Sequence, residues 1–213
     1  ADVLPMAGVG LLVFEMTLIH AIVRYKMFSV PTIRRFFRPY PEARLRTKMK
    51  YGLKRRVYLV QERDIDLSKE LFLDQVTHGI PGLWITSKDP REIERHGLRM
   101  TSVLPLTTRH NFGEMSLPAT DLERVRIFVE NQLELVGERE VVLVDCFEYI
   151  VSVNGFRRTL DFFQELGEVC REKASSLIVR IDPMRYTRRQ LSMIRERLRP
   201  VFLSRENLRK IKP

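Results

Sequence analysis

Polar side chains end or follow the short apolar segments of this chain, and these are the residues that could do chemistry. Thr86, Thr107, Asp145 and Asp182 stand at such positions, and Glu148 comes soon after Asp145. In open parallel sheets, ligands bind at the carboxyl ends of the strands, near the point where the strand order reverses. These residues are therefore the candidates for a ligand site.

Asp145 is the candidate metal ligand. It follows the apolar run Val141–Val144, a pattern that holds Mg²⁺ through water in phosphate-binding enzymes. Such sites usually share the metal with substrate phosphates. The alternative interpretation is structural: Asp145 caps the next turn or accepts backbone N–H groups. The structural interpretation is favoured because the chain offers phosphates no cradle.

The turn after the first predicted strand lacks the residues that bind phosphate. It reads Gln61-Glu62-Arg63-Asp64-Ile65-Asp66, with three carboxylates and no glycine. A phosphate loop needs glycines, so that backbone N–H groups converge on the anion, and a lysine that neutralises it. Lys69 follows Ser68, but it is predicted to lie on the solvent face of a helix. We therefore expect no enzyme activity and no cofactor.

The remaining reactive residue types show no catalytic or metal-binding spacing. Cys146 and Cys170 lack a Cys-x-x-Cys pattern and are interpreted as buried thiols of a reducing compartment. His78, His96 and His110 have no partners at metal spacing and are interpreted as surface or loop-end residues.

Strand and helix patterns alternate after residue 55, which predicts an α/β fold with a parallel, doubly wound sheet and helices on both faces. Helix caps are predicted at Asp66, Asp89, Thr120 and Thr187. The connection Thr107–Ala119 is long for this fold class and could bind a ligand. The predicted strands are short and apolar: Val57–Gln61, Leu83–Thr86, Val103–Thr107, Val141–Asp145, Leu177–Ile181 and Val201–Leu203.

The first 23 residues predict one transmembrane helix. Val3–Val23 is long enough to span a bilayer, with only Glu15 and His20 ionisable. If the span is real, these two intramembrane polar residues should face other helices or subunits. The alternative is a buried amphipathic helix. Because basic residues follow at once, the positive-inside rule places the rest of the chain in the cytoplasm, attached to the cell membrane.

Charge separates the remaining regions. Residues 24–56 carry 12 Lys/Arg and one acid, residues 57–184 carry 15 Lys/Arg and 22 Asp/Glu, and residues 185–213 carry ten Lys/Arg and two acids. The predicted regions are a basic juxtamembrane linker at 24–54, the α/β domain at 55–204 and a basic tail at 205–213. Anionic lipid is the expected partner of the linker, and nucleic acid is the alternative not favoured. The predicted membrane-surface residues are Arg24, Lys26, Arg34, Arg35 and Arg38.

Several short motifs resemble an archaeal family of uncharacterised domains, number eight hundred and thirty-five of the domain-of-unknown-function series. They are Tyr58–Val60, His78–Leu83, Asp145–Ile150, Asn154–Phe156 and Ile181–Pro183. The same core resembles the KaiC/RadA-type RecA-like ATPases, which implies a degenerate RecA-like fold. Ala21–Phe28 also resembles the end of a seven-span histidine-kinase sensor region, which implies that further spans precede residue 1.

These patterns favour a membrane-anchored cytoplasmic signalling or scaffold module with a non-catalytic domain. Its expected partners are the anionic bilayer, other transmembrane helices, and a protein partner or a second copy. Two alternatives remain open. One is a divergent nucleotide-binding protein or ATPase that uses Asp145 and Glu148, and the other is an accessory subunit of a larger membrane or nucleic-acid assembly.

Overall fold

The chain folds around one parallel sheet of seven strands in the order β4-β3-β2-β5-β6-β1-β7. The computed structural model describes residues 48–64, 66–89, 101–108, 116–137 and 139–208, within one compact unit, Arg44–Pro213. The strands are β1 (Val57–Gln61), β2 (Gly82–Thr86), β3 (Thr101–Thr107), β4 (Leu117–Pro118), β5 (Val141–Val144), β6 (Ser176–Ile181) and β7 (Val201–Leu203).

The predicted α/β class and the six predicted strands are confirmed, with ends that differ by at most two residues. β4 was not predicted, because it has only two residues and lies inside the long connection Thr107–Ala119. Within the described residues, no helix is both long and apolar enough to cross a bilayer. The predicted span Val3–Val23 and the predicted membrane-surface arginines and lysine lie outside the described residues.

Five α-helices connect the described strands. They are α1 (Leu67–Thr77), α2 (Leu122–Val136), α3 (Phe147–Asn154), α4 (Phe156–Glu172) and α5 (Arg188–Leu198), with a 3₁₀ turn at Pro183–Arg185. Only α3 was not anticipated, since a turn was expected after Asp145. The helix predicted after Asp89 lies outside the described residues.

Helices cover both faces of the sheet, as the doubly wound pattern predicts. Leu59 and alternate strand residues pack with α2, α3, α4 and α5 in one apolar cluster. Tyr58 and Val60 point the other way, into a second cluster that includes Phe72 of α1 and Trp84 of β2. Both clusters consist of buried apolar side chains, so apolar burial, at roughly 25 cal/mol per Å², is the main force that holds the helices against the sheet.

The helix caps correct two of the sequence-based assignments. Asp66 precedes α1 but makes no side-chain cap hydrogen bond. Asp121, rather than Thr120, caps α2 by accepting a hydrogen bond from the Arg124 N–H. Thr187 caps α5 as predicted, in a reciprocal capping box with Gln190. The hydrogen bonds expected of Asp66 are made instead by the carboxylate of Glu62, which accepts the first amides of α1.

The segment before β1 is fastened to α1. The amides of Lys50 and Tyr51 donate to the Asp74 carboxylate at 2.9–3.1 Å. The Gln75 side-chain amide donates to the Tyr51 carbonyl at 2.7 Å. Tyr51 and Leu53 are buried, although they fall inside the predicted linker 24–54. Tyr51 and Leu53 therefore pack with the α/β domain, before its predicted start at residue 55.

Glu140 is a buried acid at the amino edge of the sheet, just before β5. It is 1% exposed, and no described residue has hydrogen-bond geometry to its carboxylate oxygens. Burial raises the pKa of Glu140 to about 7, and the nearby Gln132 amide offsets that rise only in part. The Glu140 carboxyl group therefore holds its proton more tightly in the folded chain than in the unfolded chain.

Glu140 should make the free energy of unfolding depend on pH. Its native pKa of about 7 lies above the unfolded value of 4.5, so its contribution is complete below pH 4.5 and is lost as pH rises through 7. We expect Glu140→Gln to match the parent protein at about pH 4.5 and to exceed its stability by roughly 3 kcal/mol at about pH 8. Urea unfolding followed by circular dichroism measures both. Glu172→Gln, at an exposed site, is the control, and parallel pH profiles for the parent and Glu140→Gln would contradict the assignment.

Candidate functional site

The carboxyl edge of the sheet contains a topological switch point between β2 and β5. The two strands are adjacent, with Ile85 opposite Val144. The chain continues from β2 to β3 on one side and from β5 to β6 on the other. A crevice at such a point is where ligands bind in open parallel sheets. The predicted residues Thr86 and Asp145 both stand here.

Asp145 is held by side chains of β2. The Trp84 indole N–H donates to its Oδ2 at 3.0 Å, and Asp145 itself is 5% exposed. Burial raises the pKa of Asp145, while hydrogen bonds from Thr86 and Trp84 and the charges of Lys88 and Arg180 lower it. The structural interpretation expected Asp145 to cap a turn or to accept backbone N–H groups, whereas its hydrogen-bond partners here are these side chains.

Glu148 lies in the first turn of α3 and joins three elements at this edge. Its Oε2 pairs with the Arg180 guanidinium at 2.9 Å, and its Oε1 accepts the Asp182 N–H at 2.7 Å. Arg180 also donates to the Arg63 carbonyl. Both side chains of the pair are nearly buried, at 11–12% exposed. The pair therefore clamps α3 and β6 to the turn after β1.

The other two predicted site residues are placed differently. Asp182 follows β6, caps the 3₁₀ turn by accepting the Met184 N–H at 3.0 Å, and lies 3.5 Å from Arg185. Thr107 ends β3, which is separated from β5 by β2, and its carbonyl accepts the Ala119 N–H. The structure therefore groups Thr86 with Asp145 and Glu148 with Asp182, and leaves Thr107 apart.

The amino end of α1 follows β1, where a phosphate would bind in a nucleotide-binding protein. Here the Glu62 carboxylate occupies it. Its Oε2 accepts the Leu67 N–H at 2.7 Å, and its Oε1 accepts the Ser68 N–H at 3.1 Å and the Ser68 hydroxyl. Free N–H groups and the helix dipole favour an anion at this point. The chain supplies that anion itself.

This edge of the sheet therefore has the position of a ligand site but uses its polar groups internally. Within the described residues, no group of three or more His, Cys, Asp and Glu side chains could hold a metal ion. A groove of about 640 Å³ lies elsewhere, along the outer side of α1, with Lys69 and Glu70 among its mixed charges. Burial keeps the pKa of Cys146 well above its usual value, so this thiol is a poor nucleophile.

Sequence reasoning missed the roles of Glu62 and Arg180. Glu62 was noted only as one of three carboxylates in the turn, although it precedes two unpaired helix amides by five and six residues. Arg180 carried a stronger signal, since it is the one charged residue in the buried strand Ser176–Ile181. A charge at such a position requires a partner, because an unpaired buried charge is strongly destabilising.

Removal of the Glu62 carboxylate should destabilise α1. Glu62→Ala leaves the amides of Leu67 and Ser68 without their acceptor, so we expect a loss of about 1 to 2 kcal/mol in the free energy of unfolding. Asp64→Ala, in the same turn but exposed, is the matched control and should change stability by less than about 0.5 kcal/mol. Urea unfolding compares the two. Equal effects of both substitutions would contradict the role of Glu62 as a cap.

The Glu148–Arg180 pair should be strongly coupled. We expect a double-mutant cycle of Glu148→Gln and Arg180→Met to give a coupling energy of about 1 to 3 kcal/mol. The control is Asp161 with Arg197, a pair at 2.8 Å whose side chains are 47–48% exposed. That pair should couple by less than about 1 kcal/mol, because solvent screens it. A Glu148–Arg180 coupling no larger than the control would rule out a structural clamp.

Comparison with known proteins identifies the family of the chain but assigns no activity to it. No curated protein matches the chain. The family model described as "Protein of unknown function (DUF835)" matches residues 61–198, which run from the end of β1 to the end of α5 and include Glu62, Asp145 and the Glu148–Arg180 pair. The chain belongs to the DUF835 family.

Proposed function

We propose that the chain is a membrane-anchored cytoplasmic signalling or scaffold module whose RecA-like domain binds no nucleotide. The observation that carries the proposal is the Glu62 carboxylate on the amides of Leu67 and Ser68. A polyphosphate would have to displace this carboxylate and would meet no glycine-rich loop and no lysine in its place. The module would act by binding partners, not by turnover.

The RecA-like part of the proposal rests on the resemblance and on the strand order. β1 is followed by α1 and lies inside the sheet, between β6 and β7. β5, which Asp145 follows, lies on the other side of β6 and beside β2. This arrangement suits a domain in which the turn after β1 once held phosphates and the end of β5 once held their metal. The proposed anchor rests on the apolar run Val3–Val23 and the basic residues after it.

The contacts of the two acids weigh against the alternative of a divergent ATPase. Asp145 is committed to Trp84 at 3.0 Å, and Glu148 to Arg180 at 2.9 Å. To bind Mg²⁺ or activate water, both carboxylates would have to give up nearly buried partners. Loss of a buried partner leaves an uncompensated polar group or charge, which costs several kcal/mol.

Titration calorimetry of the full chain with MgATP tests the proposal. We expect no saturable heat at millimolar nucleotide, which corresponds to a binding free energy weaker than about −4 kcal/mol. The control is Asp145→Asn. Saturable binding or ATP turnover that this substitution abolishes would establish the ATPase alternative and overturn the proposal.

A further inference from the structure

The connection between β6 and α5, together with the first turn of α5, carries an exposed surface of like charge. We define the arginine patch as Met184, Arg185, Arg188 and Arg189. Met184 is 86% exposed, the most exposed of the large hydrophobic side chains in the described residues. Arg185, Arg188 and Arg189 are all exposed. The patch therefore combines one apolar side chain with three guanidinium groups.

The side chains of two of these arginines have no partner among the described residues. The guanidinium groups of Arg188 and Arg189 make no hydrogen bond or ion pair there, whereas that of Arg185 lies 3.5 Å from the Asp182 carboxylate. Both also stand in the first turn of α5, where the helix dipole disfavours positive charge. The capping box of Thr187 and Gln190 already caps this end of the helix, so the arginines are not needed there. Their charges are therefore available to an anionic partner.

We propose that the arginine patch docks on the surface of an anionic phospholipid bilayer, with Met184 inserted among the headgroups. Arginine binds phosphate oxygens through two parallel N–H donors, and basic residues near an anionic bilayer are attracted to it. An apolar side chain beside such residues enters the boundary between headgroups and acyl chains. The proposal rests on the anchor proposed above, which keeps a bilayer within reach.

The chain is long enough for this contact. The 24 residues between positions 23 and 48 can extend to about 80 Å at ~3.3 Å per residue. A folded domain of this size has a radius of gyration of about 15 Å. Any edge of the domain can therefore face the bilayer, and docking by the patch would select the edge that holds Asp182 and Glu148.

Single-stranded nucleic acid fits the patch less well. Its binding sites use aromatic side chains on which bases stack. The large hydrophobic side chains exposed in the described residues are Ile127, Leu135 and Met184, and none is aromatic. A methionine offers no stacking platform, but it can enter lipid. We therefore favour the bilayer and retain nucleic acid as an outcome of the test.

The experiment places an environment-sensitive fluorophore on Met184→Cys in the full chain, reconstituted in nanodiscs. The native thiols of Cys146 and Cys170 are 3% and 1% exposed, so labelling selects the new cysteine. We expect a blue shift in nanodiscs with about one third phosphatidylglycerol, no shift in pure phosphatidylcholine, and reversal at about 0.5 M salt. Leu135→Cys on α2, at a site 51% exposed, is the matched control and should not respond.

Charge removal completes the test. Arg188→Gln with Arg189→Gln, added to the labelled chain, should abolish the shift, and an undiminished shift would overturn the proposal. Equal shifts in neutral and anionic nanodiscs would also overturn it, as would an equal response to a short DNA duplex without lipid.

Extraction with alkaline carbonate tests the anchor separately from the arginine patch. A chain that resists extraction but shows no shift contradicts the patch alone, and a chain that is extracted contradicts the anchor.

Discussion

The hydrogen bonds from α1 to the Glu62 carboxylate are the interaction on which this account depends. A helix that begins after the first strand of a parallel sheet presents unpaired N–H groups at the carboxyl edge. Nucleotide-binding proteins satisfy them with phosphate, and this chain satisfies them with its own side chain. The same contact stabilises the helix and fills the anion site. The carboxylate that stabilises the helix therefore also occupies the position where a phosphate would bind.

The rest of the carboxyl edge follows the same pattern. Asp145 accepts a hydrogen bond from the Trp84 indole. Glu148 forms an ion pair with Arg180, which also donates to the Arg63 carbonyl. The carboxylates of Glu62, Asp145 and Glu148 thus each have a partner within the fold. The side chains of Arg188 and Arg189, by contrast, lie on the surface and have no partner among the described residues. We therefore propose that the chain binds other molecules at its surface and not in the crevice.

Most of the fold could be predicted from the sequence, because short apolar segments that alternate with amphipathic ones allow few arrangements. The strand order, β4 and α3 could not be predicted, since they depend on packing between distant segments. The candidate site was predicted by position, and Thr86 and Asp145 do come together. Its contacts were not predicted. Asp66 looked like the cap of α1 because it is next to the helix, but Glu62 reaches the amides from the end of β1.

The most direct test follows the amide resonances of Leu67 and Ser68 by ¹H–¹⁵N NMR while the full chain is titrated with MgATP. If Glu62 holds both amides, neither resonance will move through the millimolar range. The Gln190 amide, which is capped by Thr187 at 3.2 Å, reports any general effect of ionic strength. A saturable shift of the Leu67 and Ser68 resonances, with Gln190 unchanged, would show that phosphate displaces the carboxylate and would contradict the account.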